Sequence, residues 1–185
     1  LRFTKTPNLE QQLEKMHRDW DARARENARY YIATSRTDWS EEEFFASGEK
    51  IIADDILTDM GNICQGEEPT SMRVLEIGCG TGRLTRALAN LFGEVHAVDV
   101  SGEMIARARK ALAEKTNAHV YQNNGRDLAV VPPIRVRFCV FQPCLPAHPQ
   151  PRGDRVLCAR SPPSAPPRRS VQVTGARQPG RDPPR

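Results

Sequence analysis

Two acidic residues, Glu76 and Asp99, each lie in or at the end of a short apolar run, and the first run leads directly into Gly78-Cys79-Gly80-Thr81-Gly82. Glycines spaced this closely let a backbone turn sharply and approach a ligand without side-chain clashes. A carboxylate inside a run that reads as a buried strand needs a partner, which favours a functional Glu76 over a mere strand-end charge. A helix opening at Thr81 adds a partial positive end suited to an anionic group. The chemistry of this set is recognition of a small polar ligand. No residue reads as a nucleophile, and Cys79 is expected to matter through its backbone. His17, His96 and His119 are read as isolated, and no metal site is expected, because the five cysteines form no C-x-x-C pair.

Two ligands compete for such a loop. A dinucleotide fingerprint also opens with G-x-G and places an acid about twenty residues later. Counted from Gly78, its third glycine falls on Arg83, whose side chain is expected to crowd the helix against the strand. An NAD(P)-binding oxidoreductase is disfavoured on that ground.

The elements that must hold these residues follow from periodicity. Between Asn8 and Thr34 the apolar residues Leu13, Met16, Trp20, Ala24 and Tyr31 recur at three and four, with one weak step at Asn27, which predicts an amphipathic helix. Ser40 with Glu43 is a capping box opening a second helix that runs to Gly61, with a break expected at Gly48. Met72 to Ile77, Val95 to Val98 and Ala118 to Gln122 read as strands, separated by helices carrying Leu84, Leu88 and Leu91, then Ile105, Ala108 and Leu112 behind a Ser101 cap. Alternating strands and helices over some fifty residues predict an α/β fold with parallel strands and right-handed crossovers.

With its flanks, the loop reads Val-Leu-Glu-Ile-Gly-Cys-Gly-Thr-Gly, which resembles the first motif of class I S-adenosylmethionine (SAM) dependent methyltransferases. The resemblance implies a Rossmann-like fold in which Glu76 helps hold the ammonium of the cofactor's methionine part. Backbone at Gly78, Cys79, Gly80, Thr81 and Gly82 would run beside it. Val-His-Ala-Val-Asp-Val-Ser, ending β-strand residues at Asp99, resembles the family's second motif, whose acid accepts from both ribose hydroxyls, with Val100 and Met104 flanking the adenine. Asn124-Gly125-Arg126-Asp127-Leu128 resembles the third motif, where Asn124 stands in place of the usual acid and offers an amide oxygen to the adenine amino group. The implied activity is methyl transfer from SAM to an acceptor, expected to be a small molecule; no catalytic residue is named.

Composition divides the chain. Thirteen of the fifteen prolines lie at or after Pro132, with ten arginines and only two acids, Asp154 and Asp182, so that stretch is +8 while the part before it, with seventeen basic and twenty-one acidic residues, is −4. Three regions are expected: a helical lid or cap over 1–70, a SAM-binding βαβαβ half over 71–134, and a disordered Pro/Arg-rich tail over 135–185. The family pattern is expected to stop near residue 134, leaving three parallel strands and an exposed sheet edge. Back-translating Arg135 to Phe141 and shifting by one base gives G-F-D-F-A-F-S, which resembles the family's fourth strand, so the tail is read as out of frame. The chain opens on Leu1 rather than Met, and its true start is expected upstream.

No apolar run is long enough to cross a bilayer and no leader pattern is visible, so the cytoplasm is expected. Trp20, Tyr30, Tyr31 and Trp39 are read either as a substrate-facing lid or as aromatics packed on the sheet. A nucleic-acid-binding protein gripping phosphates through its basic tail is a further, disfavoured alternative. Oligomeric state is left open.

Overall fold

The computed structural model describes residues 8–141 and the backbone of 157–160. Five helices and five strands follow in chain order: α1 (Leu9–Ile32), α2 (Glu41–Ile51), α3 (Met60–Cys64), β1 (Arg73–Ile77), α4 (Arg83–Leu91), β2 (Glu94–Asp99), α5 (Gly102–Ala111), β3 (Ala118–Gln122), β4 (Phe138–Phe141) and β5 (Leu157–Arg160). The sheet order is β3-β2-β1-β4-β5, parallel except for β5, which is antiparallel to β4. The α/β, Rossmann-like expectation holds. Reversal of strand order between β1 and β4 makes the carboxyl end of β1 the place where such sheets bind ligands.

The expectation of three strands and a bare β1 edge is corrected. Phe138-Cys139-Val140-Phe141 is a short apolar segment, and it pairs along β1 from Val74↔Phe138 to Ile77↔Phe141. Phe138 and Val140 are buried against the same core as Val74. Pro132 and Pro133, which lack the donors a strand needs, precede the segment and obscure it in the sequence. Residues Phe138–Phe141 thus form a fourth strand of the sheet. The remainder of the expected tail, 142–156 and 161–185, lies outside the described residues.

Local chemistry explains where the helices begin. Asn8 and Ser40 each complete a capping box, with Gln11 and Glu43 returning the bond to the cap backbone. Ser101 Oγ accepts from Met104 N and opens α5. The weak step at Asn27 is a real interruption, with φ −160° and ψ 84° inside α1. Its side chain compensates there, Oδ1 accepting from Tyr30 N and Nδ2 donating to Thr37 O.

Gly48 does not break α2. A Cβ at that position would lie 2.5 Å from Arg83 O, so the glycine lets α2 approach the first turn of α4. The expected single helix to Gly61 instead passes through a wide turn at Ile52–Ile56 and a tight one at Leu57–Asp59 before α3.

Helices α4 and α5 pack on the sheet face formed by Val74, Val95, Ala97 and Val120, with α2 lying against α4 and α1 against α5. One core joins Ile52, Ile56 and Ile63 from the N-terminal segment to Val74, Leu84, Leu88, Val95, Phe138 and Val140. The cap region and the sheet thus share buried surface. Among the described residues no helix is long and apolar enough to cross a membrane.

Candidate functional site

The loop after β1 folds as a chain of backbone capture. Gly78 N and Cys79 N both donate to Val98 O on β2, and Gly82 N donates to Cys79 O. Gly78, Gly80 and Gly82 have φ of 81°, 55° and 85°, the left-handed region that side chains other than glycine enter at a cost. The glycine spacing seen in the sequence is therefore required by the turn itself. Helix α4 begins at Arg83, two residues beyond the expected Thr81, with Gly82 as a cap that offers no side-chain acceptor.

Glu76 is fully buried on the α4 side of β1, where its Oε2 accepts from Thr85 Oγ1 at 2.6 Å. Its Oε1 has no hydrogen bond. Burial pushes the carboxyl up to about 7, opposed by the Thr85 hydroxyl and by Arg83. Thr85 was not among the sequence candidates; its place in the first turn of the helix that follows the loop is the signal that could have found it.

Asp99 closes β2 and is tied into the same loop. Its Oδ2 accepts from Gly80 N and its Oδ1 from Ser101 N, both at 2.9 Å. Burial raises its pKa and these backbone donors lower it, with burial prevailing. The two acids thus stand at the carboxyl ends of adjacent parallel strands, joined through the glycine loop.

Two further buried atoms near this edge lack hydrogen bonds, Thr81 Oγ1 and Asn123 Oδ1. Buried polar atoms are ordinarily satisfied, so these two, with Glu76 Oε1, stand out at the carboxyl end of the sheet. Asn123 was passed over in the sequence in favour of its neighbour, although its N donates to Asp99 O and places it beside that acid. Asn124 Oδ1 is already engaged, accepting from Arg126 N and Asp127 N within its own turn. Both of its lone pairs are used, which argues against the adenine role expected for it.

The remaining candidates separate. Cys79 is buried with Ala97 and Ile105. Met104 is 1% exposed and packs with Ala24 and Ala28 of α1, so it is core. Val100 lies beside Gly125, where a Cβ would meet Val100 Cγ1 at 3.3 Å and Met16 Cε at 2.5 Å. A cavity of about 470 Å³ opens there between α1 and Asn124, lined by Leu13, Glu14, His17 and Arg18 among others.

The aromatics of the N-terminal segment have structural contacts: Trp39 stacks edgewise on Phe44 and donates from Nε1 to Ala33 O, and Trp20 packs on the α1–Met104 cluster. Arg83 does not crowd the strand, since its side chain turns toward α2, over Phe44 and onto Ser47 Oγ. The steric objection to a dinucleotide therefore fails as stated. His96 and His119 are not isolated either, being direct partners in the β2–β3 register.

Residues 74–157 match the family described as a methyltransferase domain. The matched segment, a little under half of the chain, is thus similar to methyltransferase domains. The match runs past residue 134, where the resemblance was expected to end. Malonyl-[acyl-carrier protein] O-methyltransferase of Bacillus anthracis is 50% identical over 42 residues, 22% of this chain and 16% of that protein. Protein-L-isoaspartate O-methyltransferase 1 of Anaeromyxobacter sp. is 33% identical over 101 residues, 55% of this chain and 41% of that protein. The solved phosphoethanolamine N-methyltransferase 1 of Haemonchus contortus, in complex with phosphoethanolamine and S-adenosylhomocysteine, aligns with a TM-score of 0.47 at 18% identity, over 66% of this chain and 24% of that one. The chain spans less than half the length of each.

Proposed function

We propose that this chain is the cofactor-binding part of an enzyme that transfers methyl from SAM to an acceptor, a small molecule in the simplest case, in a cytoplasmic setting. The observation that carries the reading is the set of bare buried atoms, Glu76 Oε1 and Thr81 Oγ1, beside Asp99, whose Oδ2 holds Gly80 N of the glycine loop and whose Oδ1 holds Ser101 N. The residues suit the ligand. Glu76 is the acceptor for an ammonium, Asp99 offers its carboxylate to a vicinal diol, and Asn123 supplies an amide oxygen next to it. Backbone at Gly78, Gly80 and Gly82 borders the rest.

When bound, SAM supplies a methyl on a sulfonium that is an activated leaving group. The chain contributes alignment: a ligand fixed at both its ammonium and its ribose presents one methyl direction to an acceptor, and such positioning contributes roughly 7–11 kcal/mol in favourable cases. Ionised Glu76 is also the state that an incoming ammonium stabilises, so binding draws its proton off.

Calorimetry of the full chain with SAM and with S-adenosylhomocysteine tests the reading. Saturable binding to the parent chain is expected, with Asp99→Ala and Glu76→Gln each weakened about tenfold or more, the loss of one charged hydrogen bond. A folded chain that gives no heat and no thermal protection at millimolar SAM overturns it.

A further inference from the structure

At the opposite end of the sheet from the glycine loop, Glu94, His96 and His119 gather on the face turned away from α4 and α5. Strand alternation puts Glu94 and His96 on that face of β2, and the register sets His119 directly beside His96. Both imidazoles lie close to one carboxylate oxygen: Glu94 Oε1 is 3.3 Å from His96 Nε2 and 3.1 Å from His119 Nε2. His96 is 2% exposed, yet its Nε2 makes no hydrogen bond despite that proximity. Its other nitrogen, Nδ1, lies 3.1 Å from the Tyr121 hydroxyl. A proton on Nδ1, donated to Tyr121, leaves a lone pair on Nε2 directed into the cluster.

We propose that Glu94 Oε1, His96 Nε2 and His119 Nε2 form a binding site for a divalent transition-metal ion, Zn²⁺ by donor set. Metal–nitrogen and metal–oxygen bonds of about 2.0–2.2 Å at a tetrahedral angle separate neighbouring donors by roughly 3.3 Å, which is the spacing of both histidines from the carboxylate. The three donor atoms lie within 4.8 Å of one another, and rotation of the His119 side chain, 39% exposed, closes the remaining gap. Tyr121 fixes the tautomer and ring plane of His96, as partners of metal-bound histidines do. Arg73 Nε holds the other carboxylate oxygen at 2.6 Å, which orients Oε1 and adds a positive charge. Two imidazole nitrogens with a single carboxylate oxygen favour transition ions over hard cations, which take mostly oxygen donors. A cavity of about 320 Å³ lined by Thr70, Arg73, Gly93, Glu94, Asn117 and His119 leaves a fourth position open to water.

The site is separate from the proposed cofactor edge by the length of β2, about 16 Å at some 3.3 Å per residue. The competing description is a bare ion pair between Glu94 and protonated His119. Chelator-stripped full chain titrated with Zn²⁺ in a calorimeter, and with Co²⁺ by visible absorption, separates the two. One equivalent per chain is expected, with ligand-field bands for Co²⁺. His119→Ala and Glu94→Gln should each weaken affinity about 100-fold or more, and Tyr121→Phe about 10–100-fold. Melting of the variants in chelator shows that they fold. Absent uptake, uptake that the variants do not alter, or a His119→Ala melting loss identical with and without Zn²⁺ overturns the proposal. SAM binding, read on the same samples, is an independent outcome.

Discussion

Thr85 Oγ1, in the first turn of α4, donates to Glu76 Oε2 at 2.6 Å, and this is the hydrogen bond that keeps a fully buried carboxylate beneath the glycine loop. Thr85→Val keeps the shape and removes the donor. A stability loss of about 1–3 kcal/mol at pH 8 is expected, shrinking at pH 5.5 where Glu76 is protonated. Urea unfolding at the two pH values measures it; equal losses at both would show that the bond does not serve the charged form.

Glu76 also sets a pH dependence of opposite sense to that of a paired surface acid. Its folded pKa is about 7 against an ordinary 4.5, because burial disfavours the charge. Between those values the folded chain holds a proton that the unfolded chain has released. Raising pH through this window therefore removes stability, by about 3 kcal/mol in total, and the contribution is fully lost above pH 7. Glu76→Gln should flatten that slope in unfolding titrations from pH 4.5 to 8. SAM affinity should rise over the same interval in the parent chain, as the carboxylate an ammonium needs becomes available.

Gly48→Ala reverses a familiar sign. At an exposed mid-helix position the change stabilises by up to about 1 kcal/mol. Here the new methyl would meet the Arg83 carbonyl at 2.5 Å, a backbone atom that cannot swing away. Destabilisation by about 1–3 kcal/mol is expected from displacing α2 off α4, read as a lowered melting temperature.

Asp21 ties α1 to the start of α5, its Oδ1 accepting from Ser101 Oγ at 2.6 Å and from Glu103 N at 3.2 Å. Slight burial raises its pKa, but these two donors together with Arg25 hold it below the ordinary value. Asp21→Ala should loosen α1, raising amide exchange and protease cleavage between residues 9 and 32 while leaving the α4 amides protected. Unchanged exchange in α1 would show that apolar packing alone retains it.

Much of the frame was legible because its signals are local. The capping box at Ser40, the glycine loop, and apolar runs at β1, β2 and β3 each fit within a few residues, and the structure follows them closely. What escaped depends on distant partners. Strand β4 is four residues long, flanked by prolines and arginines, and becomes a strand through its pairing with β1. Gly48 reads as a helix breaker until Arg83 is found against it. Asn123 and Asn124 are identical in type, and only the turn that consumes Asn124 tells them apart. His96 and His119 are twenty-three residues apart and become neighbours solely through register.

The apolar residues Ile52, Ile56 and Ile63 are interleaved with Val74, Leu84, Val95 and Phe138 in one interior. Severing the connection between Gln65 and Ser71 would accordingly yield two fragments that remain clasped together. Helical cap and sheet are therefore expected to melt as one cooperative body rather than as free-standing modules.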